Sequence, residues 1–443
     1  MFKICIGSLA ERRAEGRRLR EKSPRADQAV WKPDPGRDPL AVIKAATAGR
    51  LARLVPIKMG RMSESPFAFF RGTAPLMAKD LAKWPVAGLD VQLCGDAHVK
   101  NLGAYAAPDG HLVFDLNDFD ETIPGPWEWD LKRLAASIVL AGRDAGDNDK
   151  DCAFAARALV RCYRESLDLF SRMRVLELAR FEIQRQSEKK IVREVMERAE
   201  RVTPERTLKK LTEPVKNGWR RFNDRQPLLQ HVPDRITEAV IKALTEYRET
   251  VTAGRQLILD AYHPVDVAFK VVGTGSVGTR DYIALLFGTG PEDPMFLQLK
   301  EELQSCYSPY LDRAPRFKHE GQRAAQGQQR MQTATDPFLG WATIEGRPFL
   351  VRQLADYKAA VDPEELKGEI LEEYAVVCGK VLAKAHARTG NAAALCGYCG
   401  TSGELDKAIG KFAVAYADQT TADYKLFLKA IKAGKIKADI PTP

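Results

Sequence analysis

The longest regular pattern in the chain begins near Leu131. Through DLKRLAASIVLAGRDAG and CAFAARALVRCYRESLDLFSRM, apolar residues recur at spacings of three and four, which predicts amphipathic helices. A third such stretch, LEEYAVVCGKVLAKAHARTG, carries the stripe Val376, Val377, Val381 and Leu382. Shorter helical patterns run from Leu40 to Leu54 and from Phe317 to Thr335, and a charged one from Leu176 to Asn217. Other runs are short, β-branched or aromatic, and bounded by turn residues. His111 to Leu116, Tyr282 to Phe287 and Met295 to Leu299 predict strands, and WATIEGRPFLVRQLADYK predicts two more around a Gly-Arg turn. Helices on both sides of a strand-rich middle give an α+β chain with a mostly helical large part. Residues 1–38 are rich in Arg, Lys, Pro and Asp with little periodicity, and are expected to form a basic mobile extension.

Composition narrows the class. The 443 residues suffice for two or three domain-sized units, and 45% hydrophobic with 29% charged is ordinary for a globular protein. No stretch approaches the run of about eighteen apolar residues that a membrane span needs, and the first apolar run is too short for a signal peptide. A cytoplasmic protein is expected. Net charge is +9, which suits an anionic ligand such as a nucleotide. The charged stretch after Leu176 lacks interleaved aromatics, so no nucleic acid partner is expected. Phe67, Phe69 and Phe70 read as core. Cys396 and Cys399 form the single CxxC, with Cys378 and His386 nearby, and read as thiols rather than a zinc site.

Two stretches carry candidate chemistry. The first is CGDAHVKNLGAYAAPDGHLVFDLNDFDETIPGPWEWDL, starting at Cys94. Asp96 stands five residues before Asn101, and the predicted strand leads into Asn117-Asp118-Phe119-Asp120. Phosphoryl transfer uses such a set: one carboxylate on the attacking hydroxyl, a second carboxylate and an amide oxygen as hard ligands for magnesium. The second stretch, VDVAFKVVGTGSVGTRDYIALLFGTGPEDPMFLQLKEE, contains Gly273-x-Gly275-x-x-Gly278. A dinucleotide fold would place a helix directly after these glycines. Here a strand follows, then a turn at Gly288-Thr289-Gly290, then a strand ending at Lys300. A glycine loop between strands lets backbone amides approach phosphates, and a Lys at the end of a strand can hold them.

Asp96-x4-Asn101 resembles the catalytic loop of protein kinases, and Gly95-Asp96-x-His98-x-x-Asn101 looks like the form found in aminoglycoside and choline kinases. The later Gly125 and Trp129-Asp130-Leu131 fall in matching register. This resemblance implies ATP and magnesium as cofactors, with Asp96, His98 and Asn101 catalytic. It makes Asp118 the first choice of metal ligand beside Asn101, with Asp115 and Asp120 as alternatives. It also implies that Gly273, Gly275, Ser276, Gly278 and Lys300 hold phosphates. Glu320, the only acid in the 317–335 helix, would pair with Lys300, and backbone near Arg352, Gln353 and Leu354 would meet the adenine. Cys94 departs from the pattern, since the resembled kinases usually carry His there as a support for the loop. The catalytic segments precede the glycine-rich ones, so the implied fold is a bilobed, circularly permuted protein-kinase-like one. Its parts would be 1–38, a helical lobe 39–255, a nucleotide lobe 256–358, and returning helices 359–443. Over most of its length, through SPFAFFRG, LCGDAHVKNLG, FDLNDFDETIPGPWEWDLKRLAAS and FAVAYADQTTADY, the chain resembles a bacterial family known only as domain of unknown function 2252. The expected function is phosphotransfer to an unknown acceptor, small molecule rather than protein; the alternatives are a nucleotide-binding pseudokinase and an adenylyltransferase.

Overall fold

In the computed structural model, residues 7–183, 189–271, 273–312, 315–354 and 357–439 are described. The periodic stretches after Leu131 form helices Trp127–Asp144 and Asp149–Arg172, the second capped by Asn148, whose side chain accepts the Asp151 amide. Their apolar faces meet each other and helices Glu369–Thr389 and Glu404–Lys432. Trp127 lies fully buried and stacked on Tyr163, 5.8 Å between ring centres. Val377, Val381 and Leu382 are buried in this same core, so helix Glu369–Thr389 packs against the first helices of the lobe and against strand Asp90–Leu93. Phe67, Phe69 and Phe70 are buried as expected. Two small antiparallel sheets sit on this helical body. Asp90–Leu93 pairs with Ile123–Pro126, and Leu102–Ala106 lies between Leu112–Leu116 and Ala359–Ala360.

The second body is a six-stranded antiparallel sheet. Its order is Gly340–Ile344, Arg347–Gln353, Pro294–Glu301, Asp281–Phe287, His263–Lys270, Leu229–His231. Side chains alternate between its faces. Tyr282, Ala284 and Leu286, with Met295, Leu297 and Leu299, face helix Asp234–Arg248. Ile283, Leu285, Phe287 and Phe296 line the opposite face with Leu208 and Phe222. Gln298 and Lys300 share the parity of Phe296, so the strand delivers them to that opposite face.

Three boundaries differ from the sequence reading. The sheet body starts well before residue 256, because strand Leu229–His231 and helix Asp234–Arg248 belong to it. Periodicity predicts an element but not the core it joins. The Leu40–Leu54 pattern breaks into helix Pro39–Ala45 and a short 3-10 turn, Ala52–Leu54. Within the charged stretch, helices Val175–Ala179, Lys190–Glu200 and Pro204–Leu211 form, while residues 184–188 lie outside the described residues.

From residue 7 on, the expected extension is docked. Ser8 and Glu11 form a capping box on helix Leu9–Arg18, Arg20 donates to the Tyr398 carbonyl at 2.9 Å, and Trp31 meets Tyr416 edge-on at 4.8 Å. Arg37 is buried between Asp80 (2.9 Å) and Asp423 (2.7 Å), both also buried. These attachments use arginines and capping, which apolar periodicity does not report.

Arg37→Ala strands two buried carboxylates and should cost about 3–5 kcal/mol, the usual penalty for breaking a buried ion pair. Denaturant unfolding measures it. A change below about 1 kcal/mol, typical of surface pairs, would show that the segment is not docked.

Candidate functional site

Helix Trp127–Asp144 builds the loop that holds Asp96. Asp130, wholly buried, accepts the amides of Cys94 (2.6 Å) and Gly95 (2.9 Å). Gly95 has φ +90°, and a Cβ there would sit 2.2 Å from the Glu121 carbonyl oxygen, so no other residue fits. The Cys94 thiol donates to the Asp118 carbonyl oxygen (3.2 Å), which ties the Asp96 loop to the Asp118 loop. His386 stands behind, 3.4 Å from Asp130 and 2.8 Å from the Tyr163 hydroxyl, so it is a support for the loop. One turn on from Asp130, the buried Arg133 grips Asp96 Oδ1 (Nε at 2.6 Å) and the Phe70 carbonyl (3.0 Å). Burial raises the Asp96 carboxyl, and Arg133 pulls it back. His98 is buried with Nδ1 unpartnered and Nε2 3.7 Å from Asp96 Oδ2. Burial, then the Arg71 and Arg133 charges, lowers His98 far below its usual range and keeps it neutral. Asn101 donates to the Asp96 carbonyl at 2.8 Å, which leaves its amide oxygen as its remaining polar atom.

Lys300 reaches this loop region from the sheet, 180 positions away in sequence. Its Nζ lies 2.6 Å from Asp120 Oδ1 and 3.6 Å from Asp118 Oδ1. Burial acts to raise Asp118, but Lys300 and Arg352 outweigh it and hold it below the carboxylate range. Burial, then the Asp118 charge, pushes Asp120 up to about 6. Among the described residues, Asp118 Oδ1 has no hydrogen-bond partner. Among the described residues no three His, Cys, Asp or Glu side chains gather to hold a metal ion unaided. A hard cation fits here only if Asp118 and the Asn101 amide oxygen are joined by oxygens of a ligand, the usual manner for magnesium.

Two sequence assignments change. Glu320 does not meet Lys300. It pairs with Arg323 one turn along its own helix, Glu320–Met331. Asp115 is paired with Lys384 in the core, which removes it as a metal ligand.

On the cleft face of the sheet, Arg352 Nε donates to Gln298 Oε1 (3.0 Å), and Gln298 Nε2 donates to Asp281 Oδ2 (2.7 Å). Arg352, Gln298 and Lys300 border a cavity of about 770 Å³, with Phe338 and Leu354 among its apolar lining. Burial, then Arg352, pushes Lys358 in this wall down to about 7. Gln353 and Leu354 line the cavity, but their amides are committed elsewhere, to Asp336 Oδ2 (2.5 Å) and to the Phe296 carbonyl (2.9 Å). Backbone contact with a ligand at these two positions would have to use atoms other than these amides.

The glycine-rich loop closes over Asp96. A Cβ on Gly275 would stand 3.3 Å from the Arg71 carbonyl oxygen and 3.9 Å from Asp96 Oδ2. Gly273 and Gly278 hold positive φ, +69° and +100°. Buried Lys58 donates to the carbonyls of Thr274 (3.1 Å) and Gly275 (2.7 Å), Arg61 to Gly273, and Arg50 to Val277 (2.7 Å). Gly273, Ser276 and Asp118 border both the first cavity and a second one of about 800 Å³ on the Asp96 side. Asp96, His98, Asn101, Asp118, Asp120 and Lys300 thus converge where two cavities meet. Sequence reasoning missed Arg133, Lys58, Asp281 and Arg323. Arg133 stood inside a quoted motif, DLKRLAAS, while the others carried no local signal.

Fold and site define a mixed α+β protein with a polar cleft between an antiparallel sheet and a helical body. Residues 50–430 match the family described as an uncharacterized protein conserved in bacteria (DUF2252), and the chain belongs to that family. No curated protein and no solved structure matches it. No helix among the described residues is long and apolar enough to cross a membrane.

Burial raises the Asp281 carboxyl from 3.8 to about 7, against the pull of Lys300 and Lys270. Between those values the folded protein keeps a proton that the unfolded chain releases, so this group's contribution to stability falls as pH rises through the window. Asp281→Asn removes the titration. Thermal unfolding should show the variant gaining on the wild type between about pH 4 and pH 7; a pH-independent difference would contradict the assignment.

Proposed function

We propose that this protein is an ATP- and magnesium-dependent phosphotransferase on a circularly permuted kinase-like framework, with a small-molecule acceptor. One observation carries the reading: Lys300, from the sheet, meets Asp118 and Asp120 beside Asp96 and Asn101, between two cavities. The first cavity is the nucleotide's, and the second is the acceptor's. The order of the segments supports permutation, since the Asp96 loop precedes the sheet while helix Glu369–Thr389 returns to brace that loop from behind.

Each residue then has a role. Arg133 fixes the Asp96 carboxylate through Oδ1 and leaves Oδ2 for the acceptor hydroxyl. As the acceptor oxygen bonds to the γ-phosphorus, the bond from phosphorus to the bridging oxygen of ADP breaks, and the hydroxyl proton passes to Asp96. Lys300 and the amides of the glycine-rich loop hold phosphate oxygens. Asp118, with Asn101, would hold magnesium, which supplies charge neutralisation for the phosphates.

ATP with magnesium should raise the melting temperature, since a ligand at 100 times its Kd stabilises the native state by about 2.7 kcal/mol. Asp96→Asn should cut turnover by roughly a hundredfold to ten-thousandfold, the scale of lost general-base catalysis, and leave nucleotide affinity nearly unchanged. Asp118→Asn should weaken magnesium-nucleotide binding as well. Mass analysis of products from a metabolite extract with labelled ATP reads the turnover. No thermal shift at millimolar nucleotide, or an active Asp96→Asn, would reject the reading.

A further inference from the structure

The second cavity has unbalanced charge. Its acids are engaged already. Asp96 is held by Arg133, Asp118 and Asp120 share Lys300 (3.6 and 2.6 Å), and Glu301 is held by Arg280 and Arg347 at 3.1 Å each. Glu302 lies 3.8 Å from Arg323, and Glu121 accepts the Cys306 amide at 2.6 Å. Two half-buried cations that also line the cavity, Arg71 and Lys79, make no ion pair among the described residues, and the Asp96 and Asp118 carboxylates near Arg71 are already held by Arg133 and Lys300. Arg71 Nε is buried without a hydrogen-bond partner, and the guanidinium only stacks over Phe67, 6.0 Å from the ring centre. Neither residue borders the nucleotide-side cavity. Cations withdrawn from water without a counter-ion are costly, and a bound anion removes that cost. The other boundary is apolar at Val42, Pro75 and Tyr310, which suits a carbon skeleton, and about 800 Å³ is the size of a small-molecule site.

We infer that the acceptor is a small hydroxylated compound bearing an anionic group, phosphate or carboxylate, which Arg71 and Lys79 bind while its hydroxyl meets Asp96 Oδ2. The identity of this compound as acceptor rests on the phosphotransferase reading; the anion site itself does not.

The test is calorimetric titration of the intact protein with inorganic phosphate, malonate and magnesium-ADP. Arg71→Gln and Lys79→Gln are measured separately, so that misfolding of one leaves the other. Phosphate or malonate should bind the wild type, more weakly as salt rises, and saturating magnesium-ADP should not displace it. Each variant should bind the anion about tenfold more weakly or worse, the scale of one lost charge-assisted contact, with magnesium-ADP affinity within about twofold of wild type. The stronger of phosphate and malonate assigns the anionic group. No anion binding by wild type overturns the inference, as does unchanged binding in both variants. So does displacement by magnesium-ADP, or an equal loss of magnesium-ADP affinity, because either places the cations with the nucleotide. Anion binding as described without any binding of magnesium-ADP would leave the anion site standing and bring down the nucleotide reading alone.

Discussion

No part of the Arg323 side chain reaches solvent, yet its guanidinium holds together three segments that are far apart in sequence. It donates to the carbonyls of Thr122 (2.7 Å), Asp120 (2.8 Å) and Leu303 (2.9 Å), and to Glu320. Asp120 and Thr122 belong to the loop after Asp118, Leu303 follows the strand that carries Lys300, and Glu320 opens Arg323's own helix. One planar fork therefore sets the Asp118 loop against the Lys300 strand. A lysine has no such fixed geometry and would not replace it. Burying this charge is costly, and the return is positional: the Lys300–Asp118–Asp120 contact exists because both sides are clamped to one rigid group.

The Asp96 loop is clamped in a parallel way, by two residues on one helical face. Asp130 and Arg133 are three positions apart, so both point at the loop. The carboxylate takes the amides of Cys94 and Gly95, and the guanidinium takes the Asp96 side chain. Helix Glu369–Thr389 completes the arrangement by placing His386 behind Asp130. Cys94 adds a thiol bond to the Asp118 backbone, so the two loops are joined at that point.

Elements with an unbroken local pattern were legible in the sequence: the helices after Leu131, the helix with Val377 and Leu382, and the strands ending at Phe287 and Lys300. So were Asp96, Asn101, Asp118 and Lys300, because short motifs carry their spacing. Partnerships were not legible. The acids facing Lys300 come from a loop 180 positions away, and no local reading of Glu320 supplies them. The docking of the first segment escaped for a related reason, since Arg20 and Arg37 bind carbonyls and carboxylates contributed from beyond residue 79. The partners of the Gln353 and Leu354 amides were likewise not legible, because sequence shows a strand end but not which carboxylate or carbonyl lies across from it.

The glycine-rich loop shows how the order of the chain shapes the site. Residues 50–61, well before the sheet, supply Arg50, Lys58 and Arg61, and these with the Leu51 amide take up the carbonyls of Gly273, Thr274, Gly275, Val277 and Gly278. The Ser276 carbonyl accepts from Thr279. With these carbonyls occupied, the loop's backbone acceptors are spent, which favours an anion over a cation beside it. A hairpin held only by its own strands would be able to turn either edge toward the cleft. Here burial, then Arg50, depresses the Lys58 ammonium, which still donates to two of the loop's carbonyls. Loss of any one tether frees a carbonyl beside Asp96 and Asp118, where it would repel the same anions. The polarity that the loop presents is thus set by the segment that precedes the Asp96 loop, and not by the glycines alone.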